Sequence, residues 1–176
     1  MKTSKTTIIE INKKKIGNEQ PVYIIAEIGI NHNGSLEIAK KLIDVAVVAK
    51  VDAVKFQKRD INSLYKEDVL KNPNIDSQGL EILLNVLNEV EFNNSDYEKI
   101  IQYCNDSGIT FLCTAWDKKS VDFLEKFNVP AYKIASADLT NFPLIQYICE
   151  KNKPLIVSTG MSTMDAIDRT VKFLKN

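Results

Sequence analysis

The chain is poor in the residues on which metal, disulfide and membrane proteins usually depend. Its 176 residues include one histidine and three cysteines, and the sum of Lys and Arg (23) equals the sum of Asp and Glu (23). This balance leaves no net field to attract nucleic acid or an anionic membrane, so we expect neither as a partner. No apolar run approaches the roughly 18–20 residues that span a bilayer. The segment Met1–Lys5 lacks the apolar core of a secretory signal.

The cysteines and the histidine argue against disulfides and metal ligands. Cys104, Cys113 and Cys149 are widely spaced, odd in number and set among apolar residues. We therefore expect buried, reduced thiols and a cytoplasmic protein, because disulfides are rare in reducing compartments. His32 lies in a loop rich in asparagine and glycine, where we expect it to hold the loop by hydrogen bonds rather than to bind a metal.

What the sequence does contain is a repeated pattern of apolar runs that end on polar residues. Five such runs end at Glu27, at Lys55–Gln57, at Thr114, at Lys133–Ser136 and at Ser158–Gly160. Amphipathic helical stretches alternate with these runs, which is typical of successive βα units. The carboxyl ends of parallel strands lie at one edge of a sheet, where α/β proteins assemble their active sites. A carboxylate, lysines and hydroxyls at this edge indicate a site for a small anionic substrate.

Capping residues and apolar spacing place the helices. Ser35 is predicted to cap the first long helix, and Ser95 with Glu98 forms a capping-box pattern ahead of a later one. The helix after the last apolar run is predicted to begin at Ser162. The residues that it is predicted to turn inward are Met164, Ile167, Val171 and Leu174.

Two segments interrupt the alternation of strands and helices. Residues 1–20 are interpreted as an N-terminal extension with a hairpin around the β-prone run Thr6–Ile11, and residues 21–176 as the repeating part. Residues 58–79 are polar and form either a lid or specificity loop or a solvated insertion.

Five βα units are too few for an eight-stranded barrel of roughly 250 residues. The repeating part is therefore either a sheet of another type or the first part of a longer barrel.

Four motifs favour the barrel. They are Ala26–Gly34 (AEIGINHNG), Val54–Gln57 (VKFQ), Tyr132–Ser136 (YKIAS) and Ser158–Met161 (STGM). In this order and spacing they resemble the N-acetylneuraminate (sialic acid) synthase family, which includes the legionaminate and pseudaminate synthases. The resemblance extends over nearly the whole chain from about Pro21.

The resemblance implies an α/β fold, a (β/α)8 TIM-type barrel, of which this chain supplies about the first five βα units. It implies condensation of phosphoenolpyruvate with the open-chain form of an N-acetylated amino sugar such as N-acetylmannosamine, with release of phosphate. A divalent metal, Mn²⁺ or Mg²⁺, would polarise the sugar aldehyde. The family's metal-binding histidines lie in later strands, so we expect the metal ligands outside this chain and negligible turnover by the chain alone. The family also implies a homodimer, closed by a C-terminal antifreeze-like domain that this chain lacks.

The resemblance also implies roles for individual residues. Glu27 matches a carboxylate near the reacting carbons that transfers a proton or orients water. Lys55 and Lys133 match lysines that bind the phosphate and carboxylate of phosphoenolpyruvate, and Gln57 matches a position that lines the site. The other matches are three hydroxyl donors to the same ligand and one further carboxylate: Thr114, Ser136, Ser158 and Asp138.

Several alternatives stay open at this point. Glu27 follows four apolar residues, which predicts a carboxylate constrained by burial, and it could instead form a structural ion pair with Lys55. Trp116 replaces the phenylalanine of many bacterial members and could be pocket wall or packing. Lys133 at a strand end would also suit a Schiff-base aldolase. A third hypothesis is a non-catalytic half-barrel that binds a partner or associates with itself.

Overall fold

The computed structural model describes residues 8–71 and 80–175, which form a hairpin followed by a parallel sheet with helices on one face. The hairpin strands are β1 (Ile9–Ile11) and β2 (Lys14–Ile16). The sheet strands are β3 (Ile25–Gly29), β4 (Ala53–Lys58), β5 (Thr110–Ala115), β6 (Tyr132–Ile134) and β7 (Leu155–Val157). The helices are α1 (Leu36–Val48), α2 (Ile61–Leu64), α3 (Glu67–Lys71), α4 (Leu80–Val90), α5 (Asn94–Asp106), α6 (Lys118–Glu125), α7 (Phe142–Cys149) and α8 (Met164–Leu174), with a 3₁₀ turn at Ser136–Asp138.

The sheet follows the chain. Its order is β3-β4-β5-β6-β7 and all neighbouring strands are parallel. Because each crossover moves one strand in the same direction and such crossovers are right-handed, the helices collect on one face of the sheet. The predicted strands and the α/β class are confirmed, and Ile9–Ile11 pairs with Lys14–Ile16 in an antiparallel hairpin. Thr6 and Thr7 of the predicted β-prone run lie outside the described residues. Closure into an eight-stranded barrel stays a prediction, and residues 72–79 of the predicted loop lie outside the described residues.

Strand residues alternate between two chemically different faces. The face toward the helices is an apolar core, in which Phe56 and Tyr132 are fully buried. On the opposite face, Ala53 and Leu112 pack with Ile11 of the hairpin in a second apolar cluster. The hairpin therefore covers the amino-terminal half of this second face, and the carboxyl-terminal half is left to the polar residues of the predicted site.

Helix capping follows the predictions in part. The Ser35 Oγ accepts a hydrogen bond from the Ile38 amide (3.3 Å), as predicted. The capping box at Ser95 is wrong, because Asn93 caps α5 and its Oδ1 accepts from the Asp96 amide at 3.0 Å. Asparagine is as good a cap as serine, and an earlier cap places Ser95 inside the first turn.

The orientation of α8 also differs from its prediction. Thr163 caps this helix, one residue after the predicted start. Met164 is 69% exposed and Val171 is 40% exposed, whereas Ala166 and Thr170 are buried. Ile167 and Leu174 are partly buried, and Leu174 packs against the main apolar core, so these two predictions are confirmed. The Thr170 Oγ1 donates to the Leu139 carbonyl (2.8 Å), which adds a hydroxyl bond to the inward face.

The thiols are free, as predicted. Cys104 and Cys113 are buried and Cys149 is half-buried. Burial raises the pKa of the Cys104 thiol to about 12, so this thiol stays protonated at neutral pH. Within the described residues, we find no helix with the length and apolar character of a membrane span.

Candidate active site

Polar side chains occupy the carboxyl-terminal half of the sheet face that the helices leave free. Glu27 of β3 pairs in register with Lys55 of β4, and Gln57 of β4 pairs with Thr114 of β5. Thr114 in turn pairs with Lys133 of β6. Because alternate residues of a strand share a face, these side chains form two adjacent layers directed to the same side. The structure thus brings together five of the residues that the strand-end pattern predicted: Glu27, Lys55, Gln57, Thr114 and Lys133.

Lys55 is the centre of this cluster. Its ammonium is 2.6 Å from the Glu27 Oε2 and donates to the Thr114 Oγ1 at 3.0 Å, although the residue is only 7% exposed. A lysine ammonium has three N–H donors. Among the described residues only these two side chains are its partners, so one donor is left for a bound anion.

Glu27 is more exposed than predicted. Its side chain is 50% exposed, so the expectation that burial constrains it is wrong. The reason is that β3 is an edge strand of the described sheet, with β4 as its one neighbour there. The carboxylate is held instead by the ion pair with Lys55, which was the alternative interpretation of this residue.

A glycine makes room for polar groups to converge beside Glu27. The β3–β4 register shifts between Glu27 and Gly29, and Gly29 has a φ of +57°. A Cβ at this position would lie 3.1 Å from the Glu27 Oε1 and 3.2 Å from the Gln57 Nε2. The positive φ and this close approach both favour glycine. The absent side chain leaves the carboxylate and the amide facing a common space.

Lys133 contributes a second positive charge. It is half-buried, and its ammonium donates to the Ile134 carbonyl at 2.7 Å. Its pKa is lowered, first by burial and then by the charge of Lys55, while Glu27 opposes the shift. The ammonium groups of Lys55 and Lys133 therefore repel each other in the unliganded protein. A site of this kind is stabilised when an anion binds between the two charges.

Two of the remaining predicted residues follow the ends of β6 and β7. Ser158 is two residues beyond Ile156, on the face that carries Lys133, and its amide donates to the Ile134 carbonyl (3.2 Å). Ser136 lies beside Gly160, where a Cβ would be 3.8 Å from the Ser136 Oγ. The loops that follow β6 and β7 are therefore in contact.

Asp138 is directed elsewhere. Its Oδ1 accepts from the Asn141 Nδ2 at 3.0 Å, and burial raises the pKa of its carboxyl. Its Oδ2 is buried and has no hydrogen-bond partner among the described residues. Within that part of the chain, Asp138 makes no ion pair with Lys55 or Lys133, so it is not part of the lysine cluster.

The sequence analysis missed a buried charged cluster next to the site. Lys58 and Arg59, assigned to a polar connection, are only 6% and 8% exposed. The Lys58 ammonium lies 4.6 Å from the centre of the Tyr97 ring. The Arg59 guanidinium lies 4.6 Å from the centre of the Trp116 ring, and its Nη1 is 3.7 Å from the Glu91 Oε2. The position of these cations directly after Gln57 was the available signal, because the strand-end rule that identified Lys55 applies to them as well.

His32 holds its loop, as predicted. Its Nδ1 accepts from the Gly34 amide (3.2 Å), and its ring stacks on Phe92 with centroids 4.0 Å apart. Burial lowers its pKa to about 4, so the imidazole is neutral at physiological pH. Over residues 8–71 and 80–175, no group of three or more His, Cys, Asp or Glu side chains has the geometry of a metal site.

Comparison with known proteins gives a consistent result. The NeuB family profile matches residues 42–176. The chain is 32% identical to human N-acetylneuraminate-9-phosphate synthase over 161 residues, which are 91% of this chain and 45% of that protein. It is 34% identical to the N,N'-diacetyllegionaminic acid synthase of Legionella pneumophila over 170 residues, which are 92% of this chain and 46% of that protein.

The fold has a close structural counterpart. The crystal structure of N-acetylneuraminic acid synthetase from Leptospira borgpetersenii, in complex with citrate, superposes with a TM-score of 0.83 at 29% identity. The match covers 97% of this chain and 55% of that one. The chain spans about half the length of the curated relatives that it matches. From the profile, the relatives and the shared fold, we conclude that the chain belongs to the NeuB family of sialic acid synthase-type enzymes.

Proposed function

We propose that this chain provides the phosphoenolpyruvate-binding part of a nonulosonic acid synthase. The enzyme would condense phosphoenolpyruvate with an N-acylated amino sugar such as N-acetylmannosamine and release phosphate. The observation that carries the proposal is the convergence of Lys55 and Lys133, from different strands, on one polar face of the sheet. Two ammonium groups with an unsatisfied donor suit a small ligand that carries a phosphate and a carboxylate.

The reaction would proceed through carbon–carbon bond formation followed by loss of phosphate. The C2=C3 electron pair of phosphoenolpyruvate attacks the aldehyde carbon of the open-chain sugar, and the aldehyde oxygen takes up a proton. Water adds to the resulting cation at C2 and loses a proton. The C2–O bond to phosphate then breaks, phosphate leaves with the electron pair of that bond, and the C2 hydroxyl gives up its proton to the departing phosphate, which leaves a ketone at C2.

The described residues would act on charge and on protons in this sequence. Lys55 and Lys133 would neutralise the anion and hold it against the sheet, and Thr114 would orient Lys55 through the 3.0 Å hydrogen bond. The half-exposed Glu27 faces the space beside Gly29, where it would accept the proton that the attacking water loses. Its bond to Lys55 means that anion binding and the position of this base are coupled.

A divalent metal is expected from the family, but the described residues do not form a centre for it. Glu27 is already paired with Lys55, and His32 is buried against Phe92 with its Nδ1 occupied by the Gly34 amide. No described group of three ligating side chains is available. The metal ligands would therefore come from outside the described residues, and the steps above are assigned only to residues of this chain.

Calorimetric titration with phosphoenolpyruvate tests the proposal. The chain should bind phosphoenolpyruvate more tightly than it binds pyruvate or inorganic phosphate, because the paired lysines recognise both ends of the ligand. Lys55→Met should abolish this preference. Lys119→Met is the matched control, since Lys119 is exposed and contacts only Asp60 (3.3 Å) among the described carboxylates. Equal binding by Lys55→Met and the parent chain would refute the proposed role.

Turnover is a separate measurement. With Mn²⁺, phosphoenolpyruvate and N-acetylmannosamine, residues 1–176 alone should release negligible phosphate, because the chain contains one histidine and that residue supports a loop. Release at ordinary enzyme rates, on the order of 1 s⁻¹ or more, would show that no further residues are needed.

A Schiff-base aldolase is the second candidate, and one observation favours it. The pKa of Lys133 is lowered by burial and by Lys55, which increases the fraction of neutral, nucleophilic amine. Borohydride treatment in the presence of pyruvate, followed by mass spectrometry, would place a reduced adduct on Lys133 if this chemistry occurs. Phosphoenolpyruvate binding without any such adduct would leave the synthase as the function.

A further inference from the structure

Arg59 is a buried cation near the site, and neither the strand-end motifs nor the proposed reaction uses it. Its backbone amide donates to the Glu91 Oε1 at 3.0 Å, and its Nη1 is 3.7 Å from the Glu91 Oε2. Its guanidinium lies over the ring of Trp116, 4.6 Å from the ring centre. The residue is 8% exposed. A buried guanidinium held by a carboxylate and an indole has little freedom to reorient.

The third contact of Arg59 connects it with the site. The Arg59 Nη2 donates to the Gln57 Oε1. A guanidinium has only donors, so it can meet only the oxygen end of the amide. The amide nitrogen of Gln57 must then point away from Arg59, and it does so, because it approaches Gly29 on the side where the Glu27 Oε1 also lies.

The backbone of Gln57 is held as well. The Tyr97 hydroxyl donates to the Gln57 carbonyl, and the Gln57 position pairs in register with Thr114. The Gln57 amide nitrogen donates to no atom of the described residues. The side chain is thus fixed at its oxygen end and at its backbone, with an N–H₂ group presented to the space that Glu27 and Lys55 border.

We propose that Arg59 is a positioning residue that makes Gln57 an obligate hydrogen-bond donor to an oxygen of the bound substrate. Arg59 does not touch the substrate itself. An amide free to rotate by half a turn would present its oxygen to the site half of the time, and that oxygen would repel the acceptor oxygens of an anion or an aldehyde. Glu91 and Trp116 support the arrangement by holding the guanidinium in place. This inference rests on the function proposed above.

The orientation can be observed directly by NMR in ¹⁵N-labelled chain. The glycine hydrogen that takes the Cβ direction at Gly29 lies close to the Gln57 Nε2, so a nuclear Overhauser effect should connect the two. Adding phosphoenolpyruvate, and separately N-acetylmannosamine, should shift the Gln57 side-chain N–H₂ resonances in at least one case. A shift with phosphoenolpyruvate identifies an oxygen of the anion as the acceptor, and a shift with the sugar alone identifies an oxygen of the sugar.

Arg59→Met tests the positioning role, because methionine keeps an apolar stem over Trp116 and removes all donors. The Overhauser effect to Gly29 should weaken to about half, and the affinity for the probe that shifts the N–H₂ resonances should fall about twofold, because an amide that is correctly oriented half of the time lowers the apparent affinity by that fraction. Lys119→Met, which removes an exposed cation from the neighbouring helix α6, should change neither result.

The outcomes separate this inference from the proposed function. If phosphoenolpyruvate shifts the Thr114 amide but neither probe moves the Gln57 N–H₂ resonances, the inference is wrong and the function stands. An Overhauser effect of undiminished intensity in Arg59→Met also overturns it. If phosphoenolpyruvate shifts neither group, both proposals fall.

Gln57→Glu tests the same donor role if Arg59→Met does not fold. Gln57→Glu offers oxygens to Arg59 and has no donor. It should fold and should bind the same probe about tenfold more weakly. Unchanged affinity for both probes in Gln57→Glu would refute a donor role for Gln57.

Discussion

Replacing Lys133 by methionine should weaken anion binding and leave the stability of the folded chain undiminished. In the unliganded protein the Lys133 ammonium is half-buried, and burial together with Lys55 lowers its pKa. The charged form is therefore less stable in the folded chain than in the unfolded chain. Methionine removes this charge and keeps most of the stem volume. The variant should bind anions poorly without being less stable.

The magnitudes follow from the contacts that are lost. Lys133→Met loses the 2.7 Å hydrogen bond to the Ile134 carbonyl, worth about 1 kcal/mol net. That carbonyl still accepts from the Ser158 amide, so no buried acceptor is orphaned. Relief of desolvation and of repulsion by Lys55 offsets about 1–2 kcal/mol. The free energy of unfolding should therefore be unchanged or raised by up to about 1 kcal/mol. Phosphoenolpyruvate binding should weaken about 10- to 150-fold, because the ligand loses one charge-assisted hydrogen bond.

The sign of the pH dependence is specific. Because the folded-state pKa of Lys133 lies below the ordinary value of 10.5, the unfolded chain binds more protons between these two values. The cost of the charge is fully present below the folded-state pKa and is relieved as the pH rises toward 10.5. Any stability advantage of Lys133→Met should therefore be largest at neutral pH and shrink in alkaline solution.

Urea unfolding followed by circular dichroism measures the stability, and calorimetric titration measures the affinity for phosphoenolpyruvate. Lys119→Met again provides the control for removal of an exposed lysine. A variant that loses more than about 1 kcal/mol of stability and binds phosphoenolpyruvate as well as the parent chain would refute the reasoning. Lys133 would then be a structural lysine.

Other predictions concern the loops that support the site. The pKa of His32 is about 4 in the folded chain and 6.5 in the unfolded chain, so His32 takes up a proton on unfolding below neutral pH. The free energy of unfolding should therefore fall by about 1–2 kcal/mol between pH 7 and pH 5. Urea titrations should show that His32→Asn removes this pH dependence. Gly34→Ala should cost about 2–4 kcal/mol in the same assay, because its Cβ would lie 2.5 Å from the Glu89 carbonyl oxygen at a φ of +72°. Gly108→Ala, at a φ of +69° with no atom within 4 Å of its Cβ, should cost only about 1 kcal/mol.

Each of these predictions has a clear contrary result. A pH dependence that persists in His32→Asn would assign it to another group. Equal losses for Gly34→Ala and Gly108→Ala would mean that the positive φ, and not the approach of the Glu89 carbonyl, determines the cost.

Local patterns predicted the elements well because they depend on neighbours in the chain. The apolar runs before Glu27, Lys55 and Thr114 are strands, and the alternation of strand residues places these side chains on one face. The cap at Ser35 is likewise a local hydrogen bond. The cap at Asn93 was missed because asparagine and serine compete as equals at that helix end.

The site could be predicted only as a set of residues, and its contacts depended on elements distant in the chain. The strand-end position of Arg59 indicates a place near the site, but its burial depends on Glu91, which lies 32 residues away in the chain. The direction of Asp138 follows from the Asn141 amide in the next turn rather than from the lysines. The exposure of Glu27 follows from the place of β3 at the edge of the described sheet.

The sequence by itself determined which residues form strands and helices, the family, and the edge of the sheet at which polar side chains collect. The tertiary structure alone decided which charges are buried, which amide end of Gln57 faces the site and which face of α8 turns inward. The physical reason is that periodicity and capping are set by residues within a few positions of each other. The energy of a buried charge is set by groups that only the folded chain brings to it.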